Sequence, residues 1–134
     1  MPFEIDWHMP YRVIDERAYG ELTVEDMRYH TETLVRFLTE AQTHAPQRRV
    51  YYLFDDTDVD SVPPAYLLFE MALPVLRFKN RGPAFHVTNN RAWRNIFQLA
   101  GYIMSFPVQA FTTREEALRA IEKTMLKDDA RIDR

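Results

Sequence analysis

The run Val50-Tyr51-Tyr52-Leu53-Phe54 constrains the fold of this chain more than any other stretch. It is continuous, rich in β-branched and aromatic residues, and no charge interrupts it. A strand of this kind is apolar on both faces and needs cover from both sides, which predicts the central strand of a largely parallel α/β sheet. The flanking sequence agrees. Upstream, Met27, Leu34, Leu38 and Ala41 recur at helical spacing. Thr23 stands where an N-cap hydroxyl would accept a first-turn N–H, with Glu25 and Asp26 where the helix dipole favours negative charge. Pro46 predicts that this helix ends near His44.

The rest of the chain continues the alternation. Phe3-Glu4-Ile5-Asp6-Trp7 has the strand period, Pro10 breaks it, and a second run from Tyr11 to Tyr19 completes a hairpin ahead of Gly20. A helix is predicted to start near Pro63-Pro64, because proline is tolerated in a first turn. Ala84–Thr88 reads as a strand, followed by a helix capped at Asn89 or Asn90 and running to about Met104. Pro107–Phe111 reads as the last strand. Thr113-Arg114-Glu115-Glu116 has capping-box spacing and opens a helix with Ala117, Leu118, Ile121 and Met125 on one face. The expected order is β-β-α-β-α-β-α-β-α: an α/β fold with a mixed, mostly parallel sheet and flanking helices. Residues 1–126 form one domain in this reading, and 127–134 form a charged, frayed tail.

Composition narrows the function. The 134 residues are 46% hydrophobic and 28% charged, a globular balance in which a single core can form. The absence of cysteine excludes disulfides, thiolate nucleophiles and thiolate metal sites, and points to a reducing, cytoplasmic setting. A net charge of -3 provides no electrostatic footprint for nucleic acid. The acidic start, Met1 to Asp6, is unlike a signal peptide, and no apolar stretch is long enough for a transmembrane span.

Three features together resemble the STAS and SpoIIAA-like superfamily, the fold of the anti-anti-sigma factors, over residues 11–126. They are Gly20-x-Leu22-Thr23-x-Glu25-Asp26 leading into the first helix, Asp55 closing the central strand, and Phe111-Thr112-Thr113-x-Glu115-Glu116-Ala117-Leu118 entering the last helix. The resemblance implies a regulatory, non-catalytic domain. Switching members carry D-x-S-x-V and then D-S-S-G, with a phosphoacceptor serine. Here Asp55-Asp56-Thr57-Asp58-Val59 matches the first part, but Pro63-Pro64-Ala65-Tyr66 falls on the second. The family's serine is missing, and Ser61 and Thr57 are the nearest hydroxyls. The chain is more similar to the divergent SpoIIAA-like group, which is itself similar to lipid carriers of the CRAL-TRIO type.

Residues with catalytic chemistry are sparse. Asp56, Asp58 and Asp60 fit the first three positions of a calcium loop, but Ser61 and Leu67 stand where glycine and a bidentate glutamate are needed. No H-E-x-x-H, G-x-S-x-G or phosphate-binding glycine motif is present. His86 reads as a buried histidine satisfied by a neighbour. Arg91 and Arg94 beside Trp93 read as a solvated first turn. No enzyme, cofactor or metal is expected. A receiver-like phosphoacceptor domain, with Asp55 as acceptor, Asp15 and Glu16 on the metal and Thr88 as the switch hydroxyl, is an alternative. It lacks a receiver's second βα unit and its lysine at the end of the last strand.

The apolar surplus of two helices remains. Tyr66–Leu76 and Ile96–Met104 are apolar nearly all round, whereas a helix on one face of a sheet needs a single stripe. The surplus predicts a second buried face, hence a homodimer or a protein partner met through helices at 64–78 and 90–104. Tyr66, Phe69, Leu73, Phe97, Ile103 and Met104 are the expected contacts, and Asp55, Asp58 and Ser61 an expected ligand loop. An apolar, lipid-like ligand held between sheet and helices is the other alternative.

Overall fold

Five strands lie side by side in chain order, and that order explains the layers. The computed structural model describes residues 2–133 and all their side chains except those of Leu68 and Met71. Met1 and Arg134, at the two ends of the expected domain and tail, lie outside the described residues. Strands β1 (Phe3–Met9) and β2 (Val13–Glu21) form the antiparallel hairpin, and β3 (Val50–Ser61), β4 (Arg81–Val87) and β5 (Val108–Phe111) follow in parallel. Between them run α1 (Val24–His44), α2 (Ala65–Leu76) and α3 (Arg91–Ile103), and α4 (Arg114–Ile132) closes the chain. Each parallel strand is added on the same side of its predecessor. Right-handed crossovers then bring α1, α2 and α3 to one face and leave α4 to cover the other.

The core divides accordingly. On the α4 face, Val13, Tyr51, Leu53, Phe85 and Val87 pack against Ala117, Ile121 and Met125. On the three-helix face, Ile14 and Val50 meet Leu34, Leu38 and Ala41 of α1, while Phe54 meets Met27 of α1 and Trp93 and Phe97 of α3. Local caps start the helices as the sequence predicts. Thr23 Oγ1 accepts from Asp26 N (3.1 Å) and Asp26 Oδ2 accepts from Thr23 N (2.9 Å). Asn90 and Thr113 accept from Trp93 N and Glu116 N. Gly101 lets α3 settle onto the last strand, since a Cβ there would stand 2.3 Å from the Phe106 carbonyl oxygen.

Two expectations are corrected. The acidic run Asp55–Ser61 is not a loop. It continues β3, because Arg17 to Glu21 of β2 pair with Asp55 to Ser61 across two register shifts. Residues 127–132 do not fray. They extend α4, whose end is fastened by Arg12 to Asp129 (2.7 Å), Arg48 to Asp129 (3.0 Å) and Asp133 (2.8 Å), and Arg49 to Asp128 (3.3 Å). The buried Tyr51 hydroxyl also donates to Asp128. Burial, and then the Asp128 carboxylate, push the Tyr51 pKa well above its ordinary value, so it remains a donor.

The bidentate Arg12 guanidinium holds the Asp129 carboxyl below the usual carboxylate range. A depressed folded-state pKa adds stability above the unfolded value, and that stability is lost as the pH falls through the folded one. Because Asp129 lies in a part-buried, still water-accessible position at the end of α4, Asp129→Asn is expected to cost about 1 kcal/mol at neutral pH. The cost should fade below about pH 4. Urea midpoints of the two proteins across pH test this. A deficit that persists undiminished at pH 3 would exclude the ion pair as its cause.

Candidate functional site

Strand alternation separates the polar residues of β2 and β3 onto opposite faces. Asp15 turns towards α4, where Arg114 Nη2 donates to Asp15 Oδ2 (2.6 Å) and Nη1 to Asp55 Oδ2 (3.5 Å). Asp55 Oδ1 in turn accepts from Thr57 N (3.0 Å) and Thr57 Oγ1 (2.7 Å). Asp55 is thus buried and consumed in anchoring the start of α4. Asp58 is exposed, and the backbone carbonyl of half-buried Ser61 accepts from Leu22 N (2.9 Å). Asp55 and Ser61 belong to one extended strand, so six residues set them about 20 Å apart. The expected ligand loop therefore does not converge. Among the described residues no group of three or more His, Asp or Glu is placed to hold a metal.

Glu16, next to Asp15, turns the other way and is fully buried. His30 Nδ1 of α1 lies 2.5 Å from its Oε2, and the Tyr52 hydroxyl donates to its Oε1. Burial, and then the Glu16 carboxylate, raise the Tyr52 pKa well above its ordinary value and keep the hydroxyl protonated. The opposed directions of Asp15 and Glu16 remove the acidic pair that a receiver-like site needs. Thr88, the supposed switch hydroxyl, accepts from Asn90 N (3.1 Å) beside the α3 cap.

A second buried pair lies deeper on the same face. His86 Nε2 stands 2.6 Å from Asp56 Oδ2, and both residues are 2% exposed. Phe54 stacks on the His86 ring (5.8 Å, 16°), and Phe97 meets it edge-on (4.6 Å, 66°). The sequence marks His86 as buried and satisfied, which holds for Nε2. Asp56 Oδ1 and His86 Nδ1 have no hydrogen-bond partner. Glu16, His30 and Asp56 were not singled out as a set, and only the strand register reveals their contacts.

Between this face of the sheet and α1, α2 and α3 is an apolar cavity of about 160 Å³. Met27, Leu34, Phe54, Phe69, Phe97 and Met104 are among its walls, and His30, Tyr52, Arg81 and His86 are its charged or ring-bearing polar members. The six expected contact residues therefore divide. Phe69, Phe97 and Met104 turn in to the cavity, because three helices share one face and the inner sides of α2 and α3 look at the sheet. Tyr66, Leu73 and Ile103 turn out and are 69%, 54% and 64% exposed.

No family model matches the chain, and no curated protein does. Solved structures do. A DUF3478-family protein with a SpoIIAA-like fold from Shewanella loihica PV-4 superposes with a TM-score of 0.63 at 17% identity, over 89% of this chain and 91% of that one. This chain has a SpoIIAA-like fold. An anti-sigma factor antagonist from Mycobacterium paratuberculosis matches with a TM-score of 0.53 at 18% identity, over 90% of this chain and 92% of that one. The fold expected from the sequence is the one observed, down to the order of its nine elements. Both carboxylates of the carboxylate–histidine pairs lie on the three-helix face of this SpoIIAA-like sheet, and the cavity lies between that face and the helices. No helix of the described residues is long and apolar enough to cross a membrane.

Proposed function

We propose that this SpoIIAA-like domain is a non-catalytic, regulatory protein-interaction module of the cytoplasm that pairs with a second copy of itself through the outer sides of α2 and α3. One observation carries the reading: Tyr66 and Leu73 on α2, and Leu99, Tyr102 and Ile103 on α3, are large apolar or aromatic side chains between 54% and 86% exposed. Leu99, Tyr102 and Ile103 fall at i, i+3 and i+4 and form one patch. Contiguous apolar surface of this kind marks a contact site. The likeness in fold to an anti-sigma factor antagonist supports a role in binding protein. No serine or threonine occurs between Ser61 and Thr88, so α2 begins without a phosphoacceptor serine and the module works without that switch.

Light scattering over a range of concentrations tests the pairing. The wild-type chain is expected at the mass of a dimer. Ile103→Glu should weaken the dimer about a hundredfold, because a buried charge replaces an apolar contact. Its circular dichroism should be unchanged, since Ile103 touches no core cluster. A folded Ile103→Glu protein that remains dimeric would exclude this face.

A further inference from the structure

The cavity between the sheet and α1, α2 and α3 is apolar at nearly every wall, and the exception is informative. Its main polar members are mostly engaged. His30 and Tyr52 both meet Glu16. Arg81 Nε donates to the Leu76 carbonyl (3.3 Å), and its guanidinium lies over the Phe106 ring (5.0 Å). Among the described residues, the buried polar atoms without a hydrogen-bond partner belong to Asp15, Arg48 (whose Nη1 still forms an ion pair with Asp129), Asp56, Asn80 and His86, and of these residues His86 alone lines the cavity. Its side chain is 3% exposed. Native proteins leave few such atoms unmet, and those they leave point to a missing group.

The identity of that group follows from the other nitrogen. Nε2 faces the Asp56 carboxylate at 2.6 Å, so Nε2 carries the proton. With the ring's one proton on Nε2, Nδ1 is an acceptor, and a group that completes it donates. The surrounding walls accept only apolar bulk. A dry apolar cavity of about 150 Å³ admits benzene, so the space of about 160 Å³ here suits a single ring with a short chain. We infer that this cavity binds a small apolar molecule bearing one hydroxyl, of the size of an alkylphenol, whose hydroxyl donates to His86 Nδ1. The inference is independent of self-association, which uses the opposite sides of α2 and α3.

Calorimetry with 4-propylphenol and propylbenzene tests it, because the two probes differ only in the hydroxyl. The phenol should bind at least about tenfold tighter to the wild-type chain. His86→Phe alone would strand Asp56, so the second protein is the double variant His86→Phe with Asp56→Leu, which keeps the volume and removes both polar groups. In it the preference for the phenol should fall to within about twofold. Ala72→Leu, which fills the cavity without touching the pair, should abolish binding of both probes and raise the melting temperature. Equal affinities in the wild type would overturn the role of Nδ1, as a resident water would then serve it. Failure of both probes to bind the wild type would overturn the site itself. So would an Ala72→Leu protein that still binds either probe.

Discussion

Replacing His86 by leucine is expected to destabilise the chain by about 3–5 kcal/mol, because it leaves a carboxylate buried without its partner. Asp56 is 2% exposed, its Oδ2 meets His86 Nε2 at 2.6 Å, and its Oδ1 has no other partner to fall back on. The packing around the ring cannot supply one. Phe54 and Phe97 contact its face and edge, and both are apolar. Removing both members together should behave differently. Asp56→Leu combined with His86→Leu takes the charge out with its partner, and a buried pair replaced by apolar groups of similar size is often close to neutral. Urea unfolding of the two single variants and the double variant measures the coupling. The double variant should recover most of the loss seen in His86→Leu, with unchanged m-values to show that compactness is preserved. If His86→Leu and the double variant are equally unstable, the loss comes from packing of the ring and the carboxylate is not the cause.

This pair also shows what a sequence of this kind reveals and what it hides. Caps were legible because they are local: Thr23 to Asp26, Asn90 to Trp93 and Thr113 to Glu116 are each three residues apart, and their chemistry is complete within that span. The strand–helix alternation was legible through periodicity, and with it the SpoIIAA-like fold. Contacts set by strand register were not. Asp55 to Asp60 look like a solvated loop by composition, and they become strand only because β2 runs alongside them. The charged tail looked frayed for the same reason, since its partners Arg12, Arg48 and Arg49 lie 117, 85 and 79 residues away. Histidine 86 could be read as buried, but Asp56, 30 residues earlier, could not be assigned to it.

The apolar surplus on α2 and α3 is an intermediate case. Its existence is plain from the sequence, but its direction depends on how many helices share a face. A sheet whose parallel strands are added in chain order sends every crossover to the same side. Three helices over one face cannot all lie flat on the same strands, so α2 and α3 divide their apolar residues. Phe69, Phe97 and Met104 line a cavity, while Tyr66, Leu73 and Ile103 remain outside. A single-stripe reading of a helix does not anticipate a cavity on one side and an exposed patch on the other.

The other large effect is expected at Glu16, whose side chain is fully buried between His30 and Tyr52. Glu16→Leu removes the acceptor of the Tyr52 hydroxyl and the partner of His30 Nδ1 at once. Each buried polar group left unmet costs about 1–3 kcal/mol, so with two of them the variant should lose about 2–6 kcal/mol. In a domain of this size that lowers the melting temperature by about 10 °C or more. The burial that raises the Tyr52 pKa makes escape by ionisation unfavourable, so the hydroxyl has to find another acceptor or remain unsatisfied. Adding Tyr52→Phe to Glu16→Leu takes away one of the two stranded groups. It should return about 1–2 kcal/mol, whereas Tyr52→Phe in the wild-type background should be destabilising, because it exposes nothing new to water and leaves one Glu16 oxygen unmet. That reversal of sign is the decisive reading. It would appear only if the carboxylate is the acceptor that the Tyr52 hydroxyl needs. If Tyr52→Phe costs the same stability in both backgrounds, the hydroxyl is satisfied elsewhere, and Glu16 is held by His30 alone.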